Sequence, residues 1–128
     1  MILAEAGLKR LGLSDRIAYR FSPEELVPAA GQGILAIQTR AGEYADLLAR
    51  LNSPDGALCA KTERQLASLL GGDCSAPVGC HAQLHGTDMT LYGFSGIGGV
   101  PRYGSVQGNR NDADLLVQQL ASKLTITE

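Results

Sequence analysis

Three features are scarce in this sequence of 128 residues, and each scarcity removes a class of function. Charge of either sign is not in excess. Eleven Lys and Arg against thirteen Asp and Glu leave a formal net charge of −2, which gives no general attraction to nucleic acid or to an acidic membrane. Long hydrophobic runs are missing too: the apolar stretch over residues 33–37 falls far short of the roughly 20 residues a spanning helix needs. The N-terminus lacks the basic-then-apolar layout of a signal peptide, so the expectation is a cytoplasmic protein with neither a membrane nor a nucleic-acid partner. Cysteine is limited to Cys59, Cys74 and Cys80. An odd count excludes a complete intramolecular disulfide framework and fits reducing conditions. No internal repeat or low-complexity tract is present.

What remains is a composition typical of a soluble globular protein, 45% hydrophobic and 19% charged, in a chain long enough for one ordinary domain. Helical periodicity begins at Met1 with no preceding cap or turn signal, which suggests a piece of a longer chain. Leu3, Ala6, Leu8 and Leu11 lie at helical spacings before Gly12, a left-handed stop. Ile17, Tyr19 and Phe21 alternate with Ala18 and Arg20, predicting a half-buried strand. Ser22-Pro23-Glu24-Glu25 has the form of a capping box with Pro at the first helical position, good for about one turn. The glycines and proline of residues 27–33 predict a structured loop entering a buried strand, Ile34-Leu35-Ala36-Ile37.

Tyr44, Leu47, Leu48 and Leu51 predict a helix ended by Asn52-Ser53-Pro54, and Ser53-Pro54-Asp55 opens another running to about Leu70. Beyond it the pattern shortens to alternating segments at 78–84, 89–95 and 102–107, three antiparallel strands separated by glycine-bearing turns. Asn111-Asp112 then caps a last helix with Leu115, Leu116, Gln119, Leu120 and Leu124 on its stripe. Helix, loop, three strands and helix make a small α+β domain whose helices cover one face of an antiparallel sheet.

The chemistry concentrates in Leu70-Gly71-Gly72-Asp73-Cys74-Ser75-Ala76-Pro77-Val78-Gly79, where a thiol sits in a loop between helix and strand. Thiolates are strong neutral-pH nucleophiles that form stable thioethers with carbon electrophiles. Taken alone, a loop cysteine is more often a passive residue than a functional one. Cys80-His81 with His85 invites a metal reading, but on a strand the two imidazoles stand about 13 Å apart and no paired ligands complete the set. No metal site is expected. Close cysteine pairing of the kind dithiol exchange uses is missing, which weakens a redox reading.

The cysteine loop resembles the cofactor loop of the hydroxymethylbilane synthase (porphobilinogen deaminase) family, usually Glu-Gly-Gly-Cys-x-x-Pro-x-Gly. Asp73 stands where that family usually has glycine. Ala6-Gly7-Leu8-Lys9-Arg10-Leu11-Gly12 is similar to the family's helix bearing a substrate-contacting arginine, and Leu26-Val27-Pro28-Ala29-Ala30-Gly31-Gln32-Gly33 to its Pro-Ala-x-Gly-Gln-Gly segment. Glu63-Arg64 matches a Glu-Arg pair on the helix before the cysteine.

The resemblance implies an enzyme that condenses four porphobilinogen molecules, with loss of ammonia, into hydroxymethylbilane for tetrapyrrole (haem) biosynthesis. It implies a dipyrromethane cofactor held by thioether to Cys74, captured by the thiolate from an azafulvene electrophile. Arg10 would bind carboxylates of cofactor and substrate through bidentate pairing, Gln32 and Gly33 would line the cleft, and Glu63-Arg64 would brace the cysteine loop through an interdomain ion pair. It also implies that residues 1–26 end a second domain, 27–50 return to the first, both periplasmic-binding-protein-like α/β domains, and 54–128 form the cofactor-carrying domain. The family's catalytic aspartate falls outside this sequence, so no catalytic residue is assigned, and the chain alone is expected to be unmodified and inactive. Its partners would be porphobilinogen, the growing polypyrrole chain, and either the missing N-terminal domains or a second copy through strand exchange. A noncatalytic scaffold that kept the fold without the cofactor is the alternative.

Overall fold

A computed structural model of the chain describes residues 1–72 and 75–125. Its ordered centre is a three-stranded antiparallel sheet, β1 (Val78–His85), β2 (Asp88–Ser95) and β3 (Arg102–Asn109), in the order β1-β2-β3. Cys80 pairs with Gly93, Ala82 with Leu91, and Leu91 in turn with Val106. Period-two alternation turns Cys80, Ala82, Met89, Leu91 and Val106 to one face, all buried. Helix α3 (Pro54–Leu69) covers β1, and α4 (Ala113–Leu124) covers β2 and β3. The α+β architecture expected for this part of the chain is the one observed.

Each helix follows from local chemistry. Ser53 caps α3 by accepting from the Gly56 amide, with Pro54 at the first helical position. Leu66 and Leu70 reach the core, as do Leu116, Val117, Leu120 and Leu124 of α4. Leu66, Met89, Leu91 and Leu120 are wholly buried, each worth about 1.5–3 kcal/mol of hydrophobic stabilisation. Gly93 lets α4 approach, because a Cβ there would lie 2.5 Å from Leu124 Cδ1. Two details of α4 differ from the sequence reading. Leu115 and Gln119 are exposed, since the stripe runs through Leu116, Val117, Leu120 and Leu124 instead. The cap is Asn109, whose side chain accepts from Asn111 and starts a 3-10 turn (Arg110–Asp112), while the Asp112 side chain caps nothing.

The first part of the chain is organised differently. Helix α1 (Glu5–Arg10), a 3-10 turn (Ser14–Arg16) and helix α2 (Ala45–Leu51) are joined by turns and extended chain. Ser22 and Glu25 form the reciprocal capping box, but it closes a turn only. Residues 17–21 and 34–37 are not strands, correcting both expectations. Leu35 is 95% exposed and Ile37 62%. Alternation specifies which way side chains point, yet a strand also needs a neighbour for its amides and carbonyls, and neither segment has one among the described residues. The α/β layering expected of residues 1–50 is accordingly not displayed, and α1 and α2 bury no residue.

Candidate functional site

The first part of the chain meets the sheet domain around one carboxylate. Glu63, on the inner face of α3 and 2% exposed, accepts from the Gly31 amide at 2.7 Å and the Ala82 amide at 2.8 Å. The Nδ1 of His81 lies 3.3 Å from the same carboxylate. Burial alone would raise the Glu63 carboxyl, but donors from His81, Ala82 and Gly31 outweigh it and hold the group below its ordinary range. Beside it the Cys80 amide donates to the Pro28 carbonyl at 2.8 Å. Gly79 permits that approach, because a Cβ there would sit 2.6 Å from the Val27 carbonyl oxygen.

This junction forms one wall of a groove of about 900 Å³. Gln32, Gly33, Arg16, Arg20 and His81 supply polar lining, and Ile17, Tyr19, Phe21 and Leu26 supply apolar lining. Gly31 and Gly33 take positive φ of 79° and 84°, the turn chemistry that carries the chain past Gln32. The acidic residue of the lining, Glu5, is engaged by Lys9 and Arg20, both at 2.8 Å. Those two hydrogen bonds, Lys9 first, lower its carboxyl.

The structure thus brings Gln32 and Gly33 into one groove. Arg10 stands elsewhere, exposed on the last turn of α1 and outside the groove lining. Cys74 and Asp73 lie outside the described residues. Before them the chain turns at Gly71 (φ 73°), and a Cβ added at Gly72 would lie 3.5 Å from Val78 Cβ. Glu63 and Arg64 point to different surroundings. Successive residues on a helix point about 100° apart, so Glu63 faces inward to the 28–31 segment and β1 while Arg64 is exposed. His81 was weighed in the sequence only as a metal ligand. Its position beside Glu63 depends on α3 packing over β1, which no local pattern shows. Among the described residues no three His, Cys, Asp or Glu side chains gather as a metal requires.

Two family models match in chain order: "Porphobilinogen deaminase, dipyromethane cofactor binding domain" over residues 1–47 and "Porphobilinogen deaminase, C-terminal domain" over residues 57–125. The chain belongs to the porphobilinogen deaminase family. Similar relatives include the porphobilinogen deaminases of Thiobacillus denitrificans, 43% identical over 128 residues, and Chromobacterium violaceum, 45% identical over 128 residues. That of Ruminiclostridium josui is 38% identical over 126 residues. Each alignment covers 97% of this chain, but only 42%, 41% and 43% of those relatives respectively. The chain therefore spans less than half the length of the porphobilinogen deaminases it matches.

The groove suits the group that the first family description names. Its volume lies within the roughly 300–1,000 Å³ of small-molecule sites, and its cationic and amide lining matches the carboxylates of an acidic pyrrole. No helix among the described residues is long and apolar enough to cross a membrane.

Proposed function

We propose that this chain supplies the C-terminal portion of a hydroxymethylbilane synthase. That enzyme condenses four porphobilinogen molecules, with release of ammonia, into the linear tetrapyrrole hydroxymethylbilane. The carrying observation is the ordered match of two porphobilinogen deaminase models over residues 1–47 and 57–125. On this reading residues 1–26 complete a second domain, 27–50 return to the first, and 54–128 form the cofactor-carrying domain. The chain works in the cytoplasm, joined to the N-terminal portion that its relatives carry.

Cys74 is the thioether anchor of dipyrromethane, which when bound supplies the pyrrole carbon onto which substrate units are joined. Arg10 pairs with carboxylates of cofactor and substrate, and its exposure leaves the guanidinium open for that contact. Gln32 and the Gly33 amide hold substrate at the groove wall. Deamination needs a proton-handling carboxylate from the N-terminal portion, so the chain alone binds without turning over.

The test is to co-express the chain with the N-terminal portion of the Chromobacterium violaceum relative and measure porphobilinogen consumption. Turnover that Cys74→Ala abolishes is expected. Absence of turnover, where the relative's own C-terminal portion restores it, would refute the proposal.

A further inference from the structure

We infer that His81, as imidazolium, is a carboxylate-binding residue of the groove, with Nε2 donating to an acidic group of the ligand while Glu63 holds Nδ1. The inference rests on reading the groove as the place of a carboxylate-bearing pyrrole. Nothing in the motifs or the family descriptions assigns His81 a role.

The ring is held from two sides. Its Nδ1 is 3.3 Å from Glu63 Oε1, and that carboxylate is itself fixed by the amides of Gly31 and Ala82 at 2.7 and 2.8 Å. Tyr92, the cross-strand partner of His81, stacks on the imidazole with centroids 6.4 Å apart and planes at 20°. A carboxylate on one ring nitrogen sets the direction in which the other points. Nε2 has no partner among the described residues, and the side chain, 28% exposed, lines the groove with Gln32, Gly33, Arg16 and Arg20.

In the imidazolium both nitrogens donate, so with one on Glu63 the other delivers a charge-assisted N–H to a carboxylate. Arg16 and Arg20 are exposed, and Arg20 is already bonded to Glu5. His81 is the groove side chain whose direction is set before a ligand arrives, which suits a specificity-determining contact made by its protonated form. Glu63 then acts through it as a positioning residue, and the same carboxylate fixes the turn that carries Gln32.

The experiment is long-range ¹H–¹⁵N NMR of the full chain, titrated separately with porphobilinogen and with glutarate at constant ionic strength. The inference expects the His81 Nε2 signal to move with both ligands, while His85, exposed at the far end of β1, does not. His81→Ala should weaken both dissociation constants roughly tenfold, the scale of a charge-assisted hydrogen bond, with His81→Gln in between. A shift with glutarate alone would support His81 as a carboxylate binder and overturn the pyrrole reading of the groove. Porphobilinogen binding that leaves Nε2 unmoved would overturn the His81 inference and keep the pyrrole reading. No binding of either ligand would overturn both.

Discussion

Removing the Glu63 side chain should be the most damaging single change at the junction. In Glu63→Ala the Ala82 amide, in a residue 5% exposed, loses its acceptor with no route to water. An unsatisfied buried donor costs about 1–3 kcal/mol. The Gly31 amide and His81 lose the same carboxylate but are half-buried, adding about 1 kcal/mol each. The sum, about 3–5 kcal/mol, matches the cost of removing one partner from a buried ionic group and is a large share of the roughly 5–15 kcal/mol that holds a domain folded. Urea unfolding followed by circular dichroism would show the midpoint falling by about 2 M at a slope near 2 kcal/mol/M. Glu63→Gln keeps one acceptor and should lose about half as much. A loss below about 1 kcal/mol for Glu63→Ala would refute the argument that this carboxylate ties the segments together. The pH dependence follows in sign. The folded Glu63 carboxyl titrates below its ordinary 4.5, so its contribution is complete above that pH and is lost as acid protonates it. Wild type should lose stability more steeply below pH 4.5 than Glu63→Gln does.

Burial, with the Glu63 charge second, pushes the Cys80 thiol up to about 12. Cys80 should therefore resist a thiol reagent at about pH 8 in the native chain and react once guanidinium unfolds it; rapid native labelling would contradict this. Gly79→Ala places a Cβ 2.6 Å from the Val27 carbonyl oxygen. It should cost about 1–3 kcal/mol and speed hydrogen exchange of the Cys80 amide, which is bonded to Pro28. Leu120→Ala removes a wholly buried side chain and should cost about 2–5 kcal/mol, whereas Leu35→Ser should change stability by less than about 0.5 kcal/mol. A large loss at Leu35 would mean that 34–37 is a buried strand after all.

The sheet domain was legible because its signals are local. Serine and proline at 53 and 54 start α3, alternation marks three strands, and leucine spacing marks α4. At residues 17–21 and 34–37 the same alternation and apolar runs misled, since pairing depends on a neighbouring strand that the segment itself does not encode. The motifs carried the family resemblance and placed Gln32 and Gly33, both of which line the groove. The Glu63–His81 contact was not legible. It joins residues 18 apart through the packing of α3 on β1, which no local pattern around Glu63 or His81 encodes. The pair is visible only once the register of β1 against β2 turns His81 outward beside Tyr92.

The proposed function turns on Cys74 as the anchor of dipyrromethane. Mass spectrometry of the chain recovered from co-expression with the N-terminal portion of the Chromobacterium violaceum relative tests it most directly. The expected result is a two-pyrrole adduct that fragmentation places on Cys74, and that Cys74→Ala eliminates. An adduct on Cys59 or Cys80, or a bare Cys74 in a complex that consumes porphobilinogen, would contradict it.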